Sequence, residues 1–203
     1  SFPTRRSSDL AIEVQAVIRD LAKTGKTMMT VTHEMNFARA ISNRVFYMDE
    51  GVIYEEGTPE QIFDHPQREK TRRFVNRLKV LELTIESRDY DFLGMAGEIA
   101  QYCNKCQITP VLTNRIQLAF EESVNRLLIP SLKNPRIQAV VEYSEEAESA
   151  VWTIRYGGPR FDALKSADDL ALSVLKGTTE EMAYSWTEND ELQNQLVVKI
   201  RNA

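Results

Sequence analysis

The chain has 203 residues, of which 42 % are hydrophobic and 27 % are charged, and its formal net charge is −5 at pH 7. This composition is typical of folded globular proteins and excludes collagen-like and intrinsically disordered chains. The sequence predicts neither a membrane-spanning helix, which needs about 20 apolar residues, nor a secretory signal with its apolar core.

The charge is distributed unevenly along the chain. Residues 1–79 carry 13 Lys and Arg against 11 Asp and Glu, whereas residues 80–203 carry 12 against 19. A change of this kind indicates two units of different character, joined near residue 79. Neither unit has the clear positive patch of a nucleic-acid-binding domain, so we expect no nucleic-acid partner.

The first ten residues, "SFPTRRSSDL", do not fit the pattern of the sequence that follows. They resemble the translated read-through of a sequencing-library adapter. We therefore expect residues 1–10 to be an artefact and the natural protein to continue upstream of Ala11. Amplification of genomic DNA across this junction tests the expectation.

The next stretch predicts a helix, a strand and a second helix. Apolar residues recur at helical spacing in "AIEVQAVIRDLAKTGKT", and Gly25 is a good stop signal for this helix. The following "TMMTVTH" is rich in apolar and β-branched residues, as in a strand that helices cover on both faces. A short helix over "EMNFARAISN" completes an α/β order.

Residues 44–79 predict a hairpin and two closing helices. "RVFYMDEGVIYEEG" has two strand patterns around a tight turn at Asp49-Glu50-Gly51. Thr58 is the expected N-cap of a helix with Pro59 at its first position, and this helix ends by Pro66. "REKTRRFVNRL" predicts the last helix of the unit, with Phe74 on its apolar face.

Residues 80–203 predict helices packed on one face of an antiparallel sheet, which is a two-layer α+β arrangement. The predicted elements are a strand "VLELTIE", helices "DFLGMAGEIAQYC" and "TPVLTNRIQLAFEESVNRLLIPSL", a hairpin "RIQAVVEYSEEAESAVWTIRY" and a terminal strand "LQNQLVVKIRN". The only cysteines, Cys103 and Cys106, form a lone CxxC without further ligands nearby. We expect two reduced helix residues and no metal site.

His33 closes the predicted strand "TMMTVTH". A lone histidine in an apolar context is more often a structural residue than a catalytic one. However, "TVTHEM", "NRVFYMDEG" and "EEGTPEQIF" follow one another here as they do near the carboxyl end of ABC-type ATPases. Residues 11–79 resemble the carboxyl-terminal portion of the ATPases that energise polar amino-acid importers.

This resemblance implies a role for His33 and a set of partners. In the family, the histidine at the strand end reaches the γ-phosphate of ATP, which is bound with Mg²⁺ at the interface of an ATPase dimer. The dimer docks on permease subunits at the cytoplasmic face of the membrane, as a peripheral subunit, and a solute-binding protein delivers the substrate. His65 matches no motif of the family.

The chain contains no phosphate loop of the form G-x-x-x-x-G-K-[ST] and no ABC signature, and its apolar run before Asp-Glu, "VFYMDE", belongs to the predicted hairpin rather than to a magnesium site. The resemblance therefore implies a truncated P-loop NTPase of the α/β class. We expect the 203-residue chain by itself not to hydrolyse ATP, and an ATPase assay of the purified chain tests this.

In the second unit, Glu121, Glu122 and Asn125 lie on adjacent turns of one predicted helix. Their spacing alone fits a solvated helix face. The order of elements, with "FEESVN" and "IRYGGPRFD", resembles the histidine-kinase-type ATPase fold of anti-sigma-factor kinases over residues 80–203. The resemblance implies that Asn125 helps bind the Mg²⁺ of ATP, with Glu121 or Glu122 as the neighbouring acid.

The sequence departs from the histidine-kinase-type family at two places. Tyr156 stands where the family has the aspartate that reads adenine. The glycine-rich stretch of the family is here "DDLAL" from Asp168, which adds two carboxylates where phosphates would approach. We therefore expect a degenerate, regulatory domain that has lost strong nucleotide binding. The alternatives to an importer ATPase are an anti-sigma-factor-kinase-like regulator centred on this domain, and an interaction module without any nucleotide site.

Overall fold

The computed structural model describes residues 7–188 and 190–202, with side chains from Val14 onward. Residues 1–6 of the expected adapter-derived segment lie outside the described residues, and residues 7–10 begin the first helix. The chain divides into two compact units, one that ends at Asn76 and one that begins at Arg77. We refer to them as unit 1 and unit 2.

Unit 1 contains four helices and one two-stranded antiparallel ribbon among its described residues. These are α1 (Ser7–Lys23), α2 (Met35–Ile41), β1 (Val45–Asp49), β2 (Val52–Gly57), α3 (Pro59–Phe63) and α4 (Glu69–Val75). The predicted helices and hairpin are confirmed. Gly25, at φ 74°, follows the end of α1, and the turn between the strands has positive φ at both Glu50 and Gly51, the geometry of a type I′ hairpin.

The predicted N-cap of α3 is also present. The Thr58 hydroxyl accepts a hydrogen bond from the backbone N–H of Gln61, whose side chain accepts in return from the Thr58 N–H. This reciprocal pair is a capping box, and Pro59 occupies the first helical turn, where its missing N–H costs nothing.

The predicted strand "TMMTVTH" is wrong for this structure. Residues 26–33 adopt no helix or strand, and the side chains of Met29 and Val31 are 86 % and 95 % exposed. A strand buried on both faces needs neighbouring strands and covering helices. The described part of unit 1 supplies only the β1–β2 ribbon, so the apolar pattern has no sheet to join.

Unit 2 is built from five strands and a set of helices. The strands are β3 (Lys79–Ile85), β4 (Ile137–Ser144), β5 (Ser149–Tyr156), β6 (Glu181–Trp186) and β7 (Asn194–Arg201). The helices are α5 (Phe92–Lys105), α6 (Pro110–Phe120), α7 (Ile129–Ser131) and α8 (Asp169–Thr178), with a π-helical segment (Glu121–Leu128) that joins α6 to α7. Neither β6 nor α8 is among the elements predicted from the sequence.

The strands form one antiparallel sheet in the order β3-β4-β5-β7-β6. Alternate residues of its central strands are buried, as in Ile137, Ala139 and Val141 of β4, so one face carries the core. Trp152 lies at the centre of that face, where its indole N–H donates to the carbonyl of Ile116 (3.1 Å) and its ring packs on Phe120. The predicted layer of helices on an antiparallel sheet is therefore present.

Candidate functional site

His33 lies at the end of the extended segment 26–33, immediately before α2. Its side chain is 92 % exposed, and its Nε2 atom lies 3.8 Å from a carboxylate oxygen of Glu34. The Thr32 hydroxyl accepts a hydrogen bond from the Glu34 N–H (3.0 Å), which fixes a local turn at this point. The imidazole is thus open to solvent and available to a ligand.

Two polar contacts anchor the elements that follow His33. The Arg39 guanidinium of α2 donates two 2.7 Å hydrogen bonds to Asp64, just after α3, and this contact lowers the pKa of that carboxyl. Glu55 of β2 accepts from the N–H groups of Gln67 and Arg68 at 2.8 and 3.1 Å. The first contact thus joins α2 to the end of α3, and the second joins β2 to the start of α4.

In unit 2, the structure places Glu121, Glu122 and Asn125 on the π-helical segment. π-helical turns are rare and occur frequently at functional sites, because the extra residue per turn re-aims the side chains around it. Val124 and Leu127 of the same segment are fully buried, so the widened turn is packed into the core. The three predicted site residues therefore share one irregular element.

Asn125 is already engaged within the protein. Its Oδ1 atom accepts a hydrogen bond from the Tyr90 hydroxyl (3.3 Å). Burial, together with the nearby charge of Glu121, raises the pKa of Tyr90 to about 12, so the phenol stays protonated and remains a donor at neutral pH. The amide oxygen that the resemblance assigns to Mg²⁺ is thus occupied by a neutral phenol.

Glu122 is buried, with 8 % of its surface exposed. Within the described part of the chain, its Oε2 atom has no hydrogen-bond partner, and the same holds for the Oγ atom of Ser123. Burial raises the pKa of the Glu122 carboxyl, an effect that the charge of Arg126 opposes. An incompletely satisfied buried carboxyl lowers the free energy of unfolding.

The "DDLAL" stretch forms the start of α8. The Asp168 carboxylate caps this helix by accepting from the Ala171 N–H (3.0 Å), and it also accepts from Arg126 Nη2 (3.1 Å). The capping bond and Arg126 keep the pKa of Asp168 below its ordinary value. This carboxylate thus joins the π-helical segment to α8.

Tyr156 is fully buried at the end of β5, and its hydroxyl donates to the carbonyl of Phe161 (2.6 Å). Sequence reasoning missed its neighbour Asn194, which is also fully buried. The Asn194 amide donates to the carbonyls of Tyr156, Gly158 and Pro159, and its Oδ1 accepts from the Phe161 N–H and the Tyr184 hydroxyl.

These hydrogen bonds hold the turn that follows β5 against β7. Asn194 could have been found from the sequence pattern, because it lies two residues before Leu196, on the buried face of β7 that also carries Val198 and Ile200. A polar residue in a buried apolar series has a structural or functional reason.

A separate cleft of about 240 Å³ lies between α5 and α6. Apolar residues Phe92, Ala96 and Ile99 line one side, and Glu121 is the only predicted site residue that borders it.

The two cysteines, Cys103 and Cys106, are buried. Burial raises the pKa of both thiols, which keeps them protonated and therefore weak nucleophiles. Among the described residues, no group of three or more His, Cys, Asp and Glu side chains could hold a metal ion.

About a third of the chain is similar to curated ATP-binding proteins of amino-acid import. It is 51 % identical over 70 residues to the L-cystine import ATP-binding protein TcyN of Bacillus subtilis. The 70 aligned residues are 34 % of this chain and 27 % of that protein. It is 51 % identical over 70 residues to TcyC of the same organism, 34 % of this chain and 28 % of that protein. It is 49 % identical over 67 residues to the histidine transport ATP-binding protein HisP of Pseudomonas aeruginosa, 33 % of this chain and 26 % of that protein.

The chain thus spans about a quarter of the length of the curated relatives that it matches. No protein-family model matches it. In the described part of the chain, no helix combines the length and the hydropathy needed to span a bilayer.

Proposed function

We propose that residues 11–79 are the carboxyl-terminal part of an ATP-binding subunit of a polar amino-acid importer. The observation that carries this proposal is identity of about one half over 70 residues to ATP-binding proteins that serve amino-acid import. The motif order around His33 and the type I′ hairpin of β1 and β2 support it. ATP, with Mg²⁺, is the cofactor of the proposed subunit.

In this proposal, His33 reaches the γ-phosphate of ATP from the end of the loop 26–33. Phosphoryl transfer depends mainly on positioning and on stabilisation of the charge that develops on the transferring group. An imidazole donor beside that group would act as a preorganised electrostatic contact. The 92 % exposure of the His33 side chain leaves it free for this contact.

The proposed partners are a second ATP-binding subunit, which completes the dimer, and permease subunits. A solute-binding protein would act indirectly by delivering the amino acid. Such a subunit works as a peripheral protein at the cytoplasmic face of the membrane.

A chimera tests the proposal. The 70 matched residues of TcyN are replaced by the corresponding residues of this chain, and cystine uptake is measured in cells that depend on TcyN. We expect uptake to be retained, and His33→Ala in the chimera to reduce it about 100-fold, the usual effect of removing one charge-stabilising donor.

His65→Ala is the matched control, because His65 is the only other histidine and is exposed outside every motif. It should leave uptake unchanged. A chimera that assembles with the permease but does not transport, or one that tolerates His33→Ala, contradicts the proposal.

For unit 2, we propose a regulatory domain of the histidine-kinase-type ATPase fold that has lost strong nucleotide binding. The sheet with helices on one face and the irregular helix at Glu121–Leu128 support the fold assignment. Three observations support the loss of binding. Asn125 accepts a hydrogen bond from Tyr90, and Asp168 accepts one from Arg126. Tyr156, at the end of β5, is fully buried.

Titration of the full chain with Mg-ATP, followed by calorimetry, tests this second proposal. We expect a Kd weaker than about 1 mM. Asn125→Ala serves as the comparison and should give the same result. A micromolar Kd that Asn125→Ala abolishes would show an active nucleotide site and contradict the proposal.

A further inference from the structure

The cleft between α5 and α6 of unit 2 combines an apolar base with a polar rim. Its volume is about 240 Å³. The apolar side chains that line it include Phe92, Ala96, Ile99 and Phe120. Of these, Ile99 and Phe120 are each 1 % exposed and lie at its base. The volume corresponds to that of roughly eight water molecules, so the cleft suits a small molecule.

Three polar side chains form the rim on the α6 side. They belong to Asn114, Gln117 and Glu121. Spacings of three and four residues place them along one face of the helix. In the described part of the chain, none of the three takes part in a side-chain hydrogen bond or an ion pair. One carboxylate and two amides are therefore free for a ligand.

The Glu121 carboxylate lacks a counter-ion among the described residues, because the arginines close to it in sequence are engaged elsewhere. Arg115 donates to the carbonyl of Arg201 (2.9 Å), and Arg126 donates to Asp168 (3.1 Å). An unpaired carboxylate beside an apolar surface favours a ligand that is cationic at one end and apolar at the other.

Aromatic rings beside Glu121 add a second attraction for a cation. Phe92 lines the cleft, and Tyr90 packs edge-on against it, with ring centroids 6.3 Å apart. Tyr90 lies close enough to Glu121 that, after burial, the carboxylate charge also raises its pKa. Ammonium groups are attracted to the faces of aromatic rings, so the rings and the carboxylate favour the same class of ligand.

We propose that this cleft binds a primary organic ammonium compound with a compact apolar body. The ammonium group donates to Glu121 and to the amide oxygens of Asn114 and Gln117, while the apolar body contacts Phe92 and Ala96. A free α-amino acid fits less well, because its own carboxylate would be repelled by Glu121. The inference goes beyond the regulatory role proposed for unit 2 and gives that role a class of ligand.

Amine titration of the full 203-residue chain at pH 7 tests the inference, with isopentylamine as the probe and amide NMR shifts as the readout. We expect saturable shifts in residues 92–99 and 114–121, with a Kd of about 1 mM. Isopentanol has the same apolar body without the charge, and leucine adds a carboxylate. Both should bind at least about tenfold more weakly, because hydrogen bonds to charged groups are the stronger ones. Equal binding of the three compounds, or shifts outside the cleft, overturns the inference.

Matched variants locate the site. Glu121→Gln keeps the size of the side chain and removes its charge, so it should weaken amine binding at least about tenfold and leave isopentanol binding unchanged. Glu98→Gln removes the same charge from the exposed surface of α5, outside the cleft, and should change neither. Ala96→Leu fills the cleft without a change of charge and should abolish the binding of both compounds. Amine binding that survives Glu121→Gln, or that Glu98→Gln weakens equally, contradicts the inference.

Failure of this inference and failure of the proposed function give different results. The Mg-ATP titration concerns Asn125, which does not line the cleft. A chain that binds the amine but not ATP supports both proposals for unit 2. A chain that binds neither overturns only the amine site, and a chain that binds both overturns only the loss of nucleotide binding.

Discussion

In unit 2, thirty hydrophobic side chains join one buried core, whereas the described part of unit 1 buries two, Phe37 and Ile62. Both units contain well-formed helices and hairpins with the expected caps and turns. The difference lies in what those elements pack against. The sheet of unit 2 has a helix layer on its core face, whereas the described residues of unit 1 form only the β1–β2 ribbon beside the exposed segment 26–33.

This comparison separates local from long-range stabilisation. A helix cap such as Thr58 contributes about 1 kcal/mol, and a tight turn fixes only its own residues. Full burial of one large apolar side chain contributes about 1.5–3 kcal/mol, and such contributions accumulate over a core. The described residues of unit 1 have local signals but bury only Phe37 and Ile62 among their hydrophobic side chains, so we expect the stability of this unit to depend on a partner surface.

Among the substitutions that test the difference between the units, Phe120→Ala in unit 2 should have the largest effect on the free energy of unfolding. Phe120 is fully buried against Trp152, with ring centroids 5.3 Å apart, so its removal leaves a cavity. We expect a loss of about 3–5 kcal/mol in the free energy of unfolding. Urea denaturation followed by tryptophan fluorescence measures it.

Phe46→Ala in unit 1 is the matched control, since Phe46 is 40 % exposed. Because both tryptophans, Trp152 and Trp186, lie in unit 2, the unfolding of unit 1 is followed by far-UV circular dichroism, and the substitution should lower its free energy of unfolding by less than about 1 kcal/mol. Similar costs at the two positions would show that the units are equally well packed.

Asn194→Ala tests the polar part of the unit 2 core. The substitution leaves the Phe161 N–H and the carbonyls of Tyr156 and Gly158 without their amide partner. We expect a loss of about 3 kcal/mol, because several buried groups become unsatisfied together. Gln195→Ala, the next residue on the opposite face of β7, should cost less than about 0.5 kcal/mol in the same denaturation assay.

Glu122→Gln should stabilise unit 2 by about 1 kcal/mol at pH 7, because the buried carboxylate lacks a partner for Oε2. The pKa of Glu122 is raised above its ordinary value of 4.5 by burial, so the folded state binds the proton more tightly than the unfolded state. The wild-type chain therefore loses stability relative to the variant as the pH rises above that value.

Denaturation from pH 4 to pH 7 measures this difference. It should be close to zero at pH 4, below the ordinary pKa of the carboxyl, where Glu122 is mostly protonated in both states. Glu98→Gln, on the exposed surface of α5, removes the same charge and serves as the control. A variant that is less stable than the wild type at pH 7 would show that the charged carboxylate has a partner.

The smallest effect concerns the local signals of unit 1. Thr58→Ala removes the capping box of α3 and should cost about 1 kcal/mol, which corresponds to roughly fivefold faster hydrogen exchange in that helix. Thr30→Ala, in the exposed loop, should change exchange nowhere. No change in α3 after Thr58→Ala would show that packing, rather than the cap, holds the helix.

The elements that depend on neighbouring residues could be predicted from the sequence. The Glu50-Gly51 turn, the Thr58 cap and the alternating pattern of β4 all follow from residues within a few positions of each other. The strand at "TMMTVTH" could not be assessed in this way, because its formation depends on strands elsewhere. Its β-branched composition favours a strand, but in the described part of unit 1 the segment is exposed and pairs with no strand.

The candidate site shows the same limit. The sequence pattern could place Glu121, Glu122 and Asn125 on one helix, but their assignment as a site rests on the resemblance and stays a prediction. The π-helical geometry could not, nor could the contact between Arg126 and Asp168, which are 42 positions apart. Asn194 was missed because its partners lie in a different strand and in the turn after β5.

The most direct test of the central claim is hydrogen exchange by mass spectrometry on the full chain alone. We expect β4, β5 and β7 to exchange only through global unfolding of unit 2, and residues 26–33 to exchange at the rate of an unstructured peptide. Slow exchange in residues 26–33 would show that the chain covers this segment itself, and it would contradict the account of unit 1 as a body that needs a partner.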